Sequence, residues 1–248
     1  MSAKKSEEVF EKKAKKILDY LRSPQRYDQI QFPRPFFIEF TGSPDAGKTT
    51  TIRELYTFLR RFGLHVGIPQ EGAEVIQHIP RTTPEYNIRT GIYALSILLD
   101  ESWRHNHDVI ILDRGIYDAY VWMNYWQEKG KLTVEQKSYY QNFFLAPFWK
   151  DRVDISYFVT CEAEVAMERA LKISATSRLG QSTNPVSVTA SVERYRNAFE
   201  ELSVANPQLR LVDTTTLPAE QMIERFTAEI LDILVTKTGS VSKKGPRA

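Results

Sequence analysis

The chain has 248 residues, of which 42% are hydrophobic and 26% are charged, and its formal net charge is only +2. This length and composition are sufficient for one globular domain with a substantial core. The single cysteine, Cys161, excludes an internal disulfide, and the sequence contains neither an apolar run of membrane-spanning length nor the apolar core of a signal peptide. We therefore expect a cytoplasmic protein without a membrane span.

The first predicted element is an amphipathic helix over residues 6–22, in which apolar residues such as Phe10 and Ile17 recur at helical spacing. A polar connection follows it. Residues 1–30 are therefore predicted to precede the main domain, which we assign to residues 31–236.

A glycine-rich motif comes next, between a predicted strand over residues 35–41 and a predicted helix over residues 51–62. The motif matches G-x-x-x-x-G-K-[ST], whose backbone N–H groups surround phosphate oxygens at a helix N-terminus. Lys48 is expected to reach the β- and γ-phosphates of ATP, and the Thr49 hydroxyl is expected to bind Mg²⁺. The predicted nucleotide-binding residues are Gly42, Ser43, Pro44, Asp45, Ala46, Gly47, Lys48, Thr49 and Thr50.

Two acidic residues follow the next predicted strands. Glu71 lies at the end of a strand over residues 64–69, and Asp113 ends a buried apolar strand over residues 109–112. Asp113 at the end of this buried strand matches the Walker B pattern and would hold Mg²⁺ together with Thr49. The carboxyl ends of parallel strands form the usual ligand-binding edge of an α/β sheet.

The remaining chain continues to alternate helices and strands. Further helices are predicted over residues 73–79, 86–106, 117–128, 163–172, 191–202 and 219–235, and a capping box is predicted at Thr133 and Gln136. Strands are predicted over residues 155–159 and 209–212. A mobile loop is predicted over residues 174–188, and a disordered basic tail over residues 237–248. This alternation predicts an α/β fold with a five-stranded parallel sheet and helices on both faces.

The hexapeptide Asp113-Arg114-Gly115-Ile116-Tyr117-Asp118 resembles the Asp-Arg motif of thymidylate kinases and deoxynucleoside kinases. Its Asp-Arg-Gly form is most similar to that of the small P-loop ATPases related to the nicotinamide-riboside kinase domain. The resemblance covers about residues 35–235. It implies a Mg²⁺- and ATP-dependent phosphotransferase whose small-molecule acceptor is a nucleoside or a nucleoside monophosphate.

The resemblance also implies catalytic roles beyond that of Lys48. Glu71 would act as the base toward an acceptor hydroxyl, Arg114 would lie close to the phosphates, and Arg178 would contact the transferred phosphoryl group from a lid. The chain departs from the kinase pattern at Gly115, where thymidylate kinases have an aromatic residue, and at Asp45, where they have glycine.

The sequence leaves two interpretations open for several arginine and aromatic residues. Arg81 and Arg89 either hold a phosphate or face solvent, and Arg169 flanks the predicted lid. The aromatic residues that either stack on a base or belong to the core are Tyr93, Tyr117, Trp122, Tyr125 and Trp126.

Two other functions are compatible with the same motifs. One is a nucleotide-binding switch that controls a partner, and the other is a polynucleotide 5′-kinase that uses its basic ends on nucleic acid. The absence of a stripe of arginine and aromatic residues disfavours the second. The sequence leaves a homodimer open as well.

Overall fold

The computed structural model describes residues 3–21, 34–104, 106–173 and 184–241. The strands are β1 (Phe36–Gly42), β2 (Val66–Gly67), β3 (Val109–Asp113), β4 (Val153–Thr160) and β5 (Leu209–Asp213). The helices are α1 (Ala3–Leu21), α2 (Lys48–Arg61), α3 (Gly72–Val75), α4 (Pro84–Arg104), α5 (Ile116–Glu128), α6 (Val134–Phe144), α7 (Pro147–Lys150), α8 (Ala163–Ile173), α9 (Pro185–Ser203) and α10 (Ala219–Val241).

The five strands form one parallel sheet in the order β2-β3-β1-β4-β5. Strand β1 is central, with Ile38 opposite Ile111 on one side and Ile155 on the other. All seven residues of β1 are buried. The predicted five-stranded parallel α/β sheet is therefore confirmed, and its central strand leads directly into the glycine-rich loop.

Alternate residues of β1 enter two separate apolar clusters. Ile38 and Phe40 pack with helices α1, α2 and α10 on one face, whereas Phe37 packs with α4, α5 and α6 on the other. This is the period-two pattern of a strand that is covered on both sides. The prediction of helices on both faces of the sheet is thus correct.

Helix α1 packs against α10. Its Ala14 and Ile17 side chains are buried in the first cluster, and Lys13 forms an ion pair with Asp232 at 2.5 Å. Phe10 makes an edge-on contact with Phe58 of α2, with ring centroids 6.0 Å apart. The N-terminal helix is therefore part of the same core as the sheet.

Two predicted boundaries on the C-terminal side were wrong. Helix α9 begins at Pro185, within the loop predicted over residues 174–188, because the Asn184 side chain accepts the N–H of Ser187 and caps the helix. Helix α10 continues to Val241, so that the first five residues of the predicted disordered tail are helical. Arg178 and the rest of the predicted lid lie outside the described residues, as does the remainder of the tail.

Two further features concern the middle of the chain. The short helix α7 was not predicted, and β2 has only two paired residues where six were expected. The capping box at Thr133 is confirmed, because its hydroxyl accepts the N–H of Gln136 and the Gln136 side chain accepts the N–H of Thr133. Within the described ranges, no helix is both long and apolar enough to cross a membrane.

Candidate active site

The glycine-rich loop connects β1 to α2 in a conformation that glycine makes accessible. Gly42 has a φ of 138°, and a Cβ atom there would lie 1.8 Å from the carbonyl oxygen of Val159. Gly47 has a φ of 89° and precedes the first residue of α2. Asp45 also has a positive φ, of 54°. The loop thus lies tightly against β4, where the N–H of Ser43 donates to Val159.

Lys48 is folded back over this loop. Its buried ammonium group donates to the carbonyl oxygens of Gly42 at 3.2 Å and Ser43 at 2.6 Å. Burial, and after it the nearby positive charge of Arg114, lower the pKa of Lys48 to about 8. A buried cation of this kind is stabilised when an anion enters the loop.

The loop is also tethered to the end of β5. The Thr214 hydroxyl donates to the carbonyl oxygen of Ala46 at 3.0 Å. Arg169 of α8 donates to the carbonyl oxygens of Asp45 at 3.4 Å and Thr214 at 2.8 Å. The sequence places Arg169 beside the predicted lid. It does not predict the contact of Arg169 with the glycine-rich loop.

The two side chains predicted to hold Mg²⁺ meet at the base of the loop. The Thr49 hydroxyl donates to the carboxylate of Asp113 at 3.1 Å. A hydroxyl and a carboxylate are hard oxygen ligands of the kind that Mg²⁺ prefers when it is shared with substrate phosphates. The donor set therefore fits this metal.

Arg114 lies at the centre of an ion-pair cluster beside Asp113. Its Nε is 3.0 Å from a carboxylate oxygen of Glu71, and its Nη1 is 2.8 Å from Asp118. Arg114 has a φ of 68°, an uncommon conformation for a residue with a side chain. Burial raises the pKa of Glu71, and the charge of Arg114 partly offsets this. The sequence predicts that Glu71 and Arg114 lie at the same site, and in the structure their side chains are in direct contact.

Asp118 extends this cluster to two residues that the sequence did not single out. The hydroxyl of Thr41 donates to Asp118 at 2.7 Å, and the hydroxyl of Tyr195 donates to the same oxygen at 2.6 Å. Burial raises the pKa of Tyr195, as does the charge of Asp118, so that this phenol stays a donor. The second aspartate of the Asp-Arg-Gly-x-x-Asp motif was the one available signal for this network.

A buried carboxyl group lies beneath the same turn. Glu39 of β1 is fully buried, and one of its oxygens accepts the N–H groups of Tyr117 at 3.0 Å and Asp118 at 3.2 Å. Burial raises the pKa of Glu39 to about 8, so the carboxyl is largely protonated at neutral pH. A Cβ atom on Gly115 would lie 2.7 Å from the Glu39 carboxyl. The glycine that departs from the kinase pattern therefore makes room for Glu39.

A cavity of about 900 Å³ opens from the glycine-rich loop and the Arg114 cluster. Four of the five candidate stacking aromatics line it, and the fifth, Tyr117, is buried in the core: the lining residues are Tyr93, Trp122, Tyr125 and Trp126. Arg81 also lines the cavity, whereas Arg89 does not. The volume is in the range of small-molecule sites.

Comparisons with known proteins agree with this geometry. A family model described as an AAA domain matches residues 37–194, whereas no curated protein sequence matches the chain. The structure of thymidylate kinase from Candida albicans is similar, with a TM-score of 0.54 and 16% identity over 87% of this chain and 96% of that one.

Deoxyadenosine kinase from M. mycoides, solved with its products dCMP and dCDP, has a TM-score of 0.56 and 17% identity over 79% of this chain and 100% of that one. At these identities the likeness concerns the fold. The family model, by contrast, covers more than half of the chain, from β1 into α9. The chain therefore belongs to the AAA domain family and has the fold of the P-loop nucleoside and nucleotide kinases.

Proposed function

We propose that the protein is a Mg²⁺- and ATP-dependent phosphotransferase that acts on a nucleoside or a nucleoside monophosphate. The observation that carries this proposal is the cavity of about 900 Å³, whose wall includes residues of the glycine-rich loop and the Glu71–Arg114 pair. A protein that only binds and hydrolyses ATP has no need for a second, aromatic-lined space next to the phosphates.

The loop residues supply the phosphate and metal contacts in this proposal. Lys48 would exchange its carbonyl partners for phosphate oxygens, and Thr49 and Asp113 would hold Mg²⁺. When bound, Mg²⁺ neutralises charge that develops on the phosphates. The Asp45 turn and the Arg169 tether keep the loop N–H groups in place before ATP arrives, which lowers the cost of organising the site.

Glu71 and Arg114 would act on the acceptor side. The carboxylate of Glu71 would take the proton of an acceptor hydroxyl as that oxygen bonds to the γ-phosphorus and the bond to the β–γ bridging oxygen breaks, releasing ADP. A raised pKa makes Glu71 a better proton acceptor than an exposed carboxylate. For a nucleoside monophosphate acceptor, Arg114 would instead bind the accepting phosphate. Arg178 remains the proposed lid arginine.

The test is a screen of nucleosides and nucleoside monophosphates for acceptor-dependent release of ADP. We expect at least one acceptor to stimulate ADP release, and we expect Lys48→Ala to abolish that stimulation while the circular dichroism spectrum is unchanged. Lys16→Ala, an exposed lysine of α1, is the matched control. ATP turnover that no acceptor changes would favour the nucleotide-dependent switch instead.

A further inference from the structure

We propose that the acceptor is a dinucleotide-sized molecule that carries an anionic group at the end remote from the glycine-rich loop. The proposal rests on the proposed phosphotransfer activity and replaces the single nucleoside or nucleoside monophosphate by a larger acceptor. It is carried by the length of the cavity along α5 and by the cations at its far end.

One face of α5 lines the cavity along nearly the whole helix. Asp118, Val121, Trp122, Tyr125 and Lys129 all contribute to the wall, and their spacing of three, four, seven and eleven residues from Asp118 defines a single helical stripe. Eleven residues of helix advance about 17 Å. The cavity floor is therefore longer than a single nucleoside.

The carboxylates of the wall lie towards one end of this length, whereas cations, among them Arg81 and Arg114, also line other parts of the cavity. The carboxylates that line the cavity are Glu71, Asp113 and Asp118, and they contact Arg114 or the end of the glycine-rich loop. The cations Lys129, Lys131 and Arg194 line the part near the end of α5. Lys129 thus lies about 17 Å along the helix from Asp118 and adds a positive charge to the wall near the end of α5.

These cations lie over the aromatic rings of the wall. The ammonium group of Lys129 is 5.7 Å from the ring centroid of Tyr125, and that of Lys131 is 5.3 Å from the ring centroid of Trp126. The guanidinium of Arg194 is 5.0 Å from the ring centroid of Tyr125. Aromatic rings and cations placed together suit a ligand with both a base and a phosphate.

Two of the three cations remain able to bind an anionic group of a ligand. Arg194 is occupied by Glu128, with contacts of 3.1 and 2.8 Å. Among the described residues Lys131 donates to the carbonyl oxygen of Thr82 alone, at 2.6 Å, which uses one of its three protons. Within the described ranges neither Lys129 nor Lys131 has an ion pair. Both can therefore bind an anionic group of a ligand.

The ligand class follows from these features. Its phosphoryl-accepting group lies at Glu71 and Arg114, an aromatic base lies against Trp122, and a phosphate lies at Lys129 and Lys131. A nucleoside is too short to connect both ends, whereas two nucleoside units joined by phosphate can span the distance.

The experiment compares binding of two dinucleotides that differ only in a terminal 3′-phosphate, measured by titration calorimetry with wild-type protein and with a Lys129→Gln/Lys131→Gln variant. Glutamine keeps most of the side chain that covers the rings and removes the charge. We expect the terminal phosphate to tighten wild-type binding about tenfold, as a charge-assisted contact does. The double variant should lose this gain, whereas the control Lys16→Gln should keep it.

Acceptor-dependent ADP release with the same two dinucleotides and with free nucleosides separates this proposal from the proposed function. The distal anion site is contradicted if wild-type protein binds both dinucleotides with equal affinity. It is also contradicted if the double variant keeps the gain in affinity from the terminal phosphate. Either result counts against the site even if nucleosides are phosphorylated. A phosphate-dependent gain that the double variant loses, without ADP release from any acceptor, supports the site and contradicts the kinase activity.

Discussion

Glu71 contacts Arg114 at 3.0 Å and lines the cavity that we propose holds the acceptor. In Glu71→Gln the shape remains and the proton acceptor is lost, so the acceptor-dependent rate should fall by ~10²-fold or more while ATP affinity hardly changes. Steady-state kinetics and ATP titration measure the two quantities. If the acceptor is already a phosphate ester, the loss should appear mainly in its KM.

The control for this variant is Glu74→Gln, an exposed acid one turn later. A Glu71→Gln enzyme with full acceptor-dependent activity and an unchanged KM would contradict both roles of Glu71.

Glu39 gives a second prediction at the scale of one residue. Its pKa is raised from 4.5 to about 8, chiefly by burial and further by the charge of Asp118. Between these pH values the unfolded chain releases a proton that the folded protein retains, so this group makes folding less favourable as pH rises. Glu39→Gln cannot ionise. It should match the wild type near pH 5 and exceed its stability by on the order of 4 kcal/mol at pH 8.

Urea unfolding of both proteins at several pH values measures this difference, with Glu74→Gln as the exposed control. A stability difference between Glu39→Gln and wild type that is the same at pH 5 and pH 8 would show that Glu39 is already ionised in the folded protein. Acceptor-dependent activity of Glu39→Gln at pH 7 should stay near that of the wild type, since the neutral amide oxygen can still accept the N–H groups of Tyr117 and Asp118.

At the scale of elements, Arg169 connects α8, the glycine-rich loop and the end of β5. Arg169→Ala removes one hydrogen bond to the loop, at the carbonyl oxygen of Asp45, and two hydrogen bonds to Thr214 at the end of β5. Because the loop must then be ordered by the ligand, we expect the Kd for ATP to rise about tenfold with a smaller change in kcat. Titration calorimetry measures the Kd for ATP, and steady-state kinetics on the same preparation measure kcat.

Lys172→Ala on the same helix is the matched control, since Lys172 is exposed and pairs only with Glu168 within the described residues. A large loss of kcat at unchanged ATP affinity would instead give Arg169 the role of a lid arginine that contacts the transferred phosphoryl group.

At the scale of the whole molecule, α1 and α10 cover the sheet face opposite the cavity. Ile17 is 1% exposed in this core, and no residue of α1 lines the cavity. Ile17→Ala should therefore cost about 2–4 kcal/mol of stability and leave the acceptor KM unchanged. Urea unfolding and kinetics test this, with Lys16→Ala as the control. Unchanged stability would mean that α1 does not pack on the sheet in solution.

Local patterns were sufficient to predict the sheet and the position of the glycine-rich loop between β1 and α2. The apolar runs of β1 and β3, and the glycines and lysine of the loop, each carry their signal within a few neighbouring residues. The same holds for the capping box at Thr133, whose partners are three residues apart.

Contacts between distant parts of the chain could not be predicted in this way. Tyr195 and Asp118 are 77 residues apart, and Thr214 and Ala46 are 168 apart. Glu39 interrupts an apolar strand, and its role becomes visible only when Gly115 is seen to make room for it. The cavity is formed by the packing of α4, α5 and α9, which no single segment encodes.

The central position of β1 has a consequence for biosynthesis. The strand is made early, but its two neighbours are β3 and β4, and the last tether of its loop is Thr214. The 172 residues from Gly42 to Thr214 take roughly 10–30 s to synthesise at ordinary ribosome speeds. During that time the strand has open edges that can pair with other chains. The nascent protein is therefore expected to complete the proposed ATP site only after β5 has been made, although the motif itself is synthesised before β2, β3, β4 and β5.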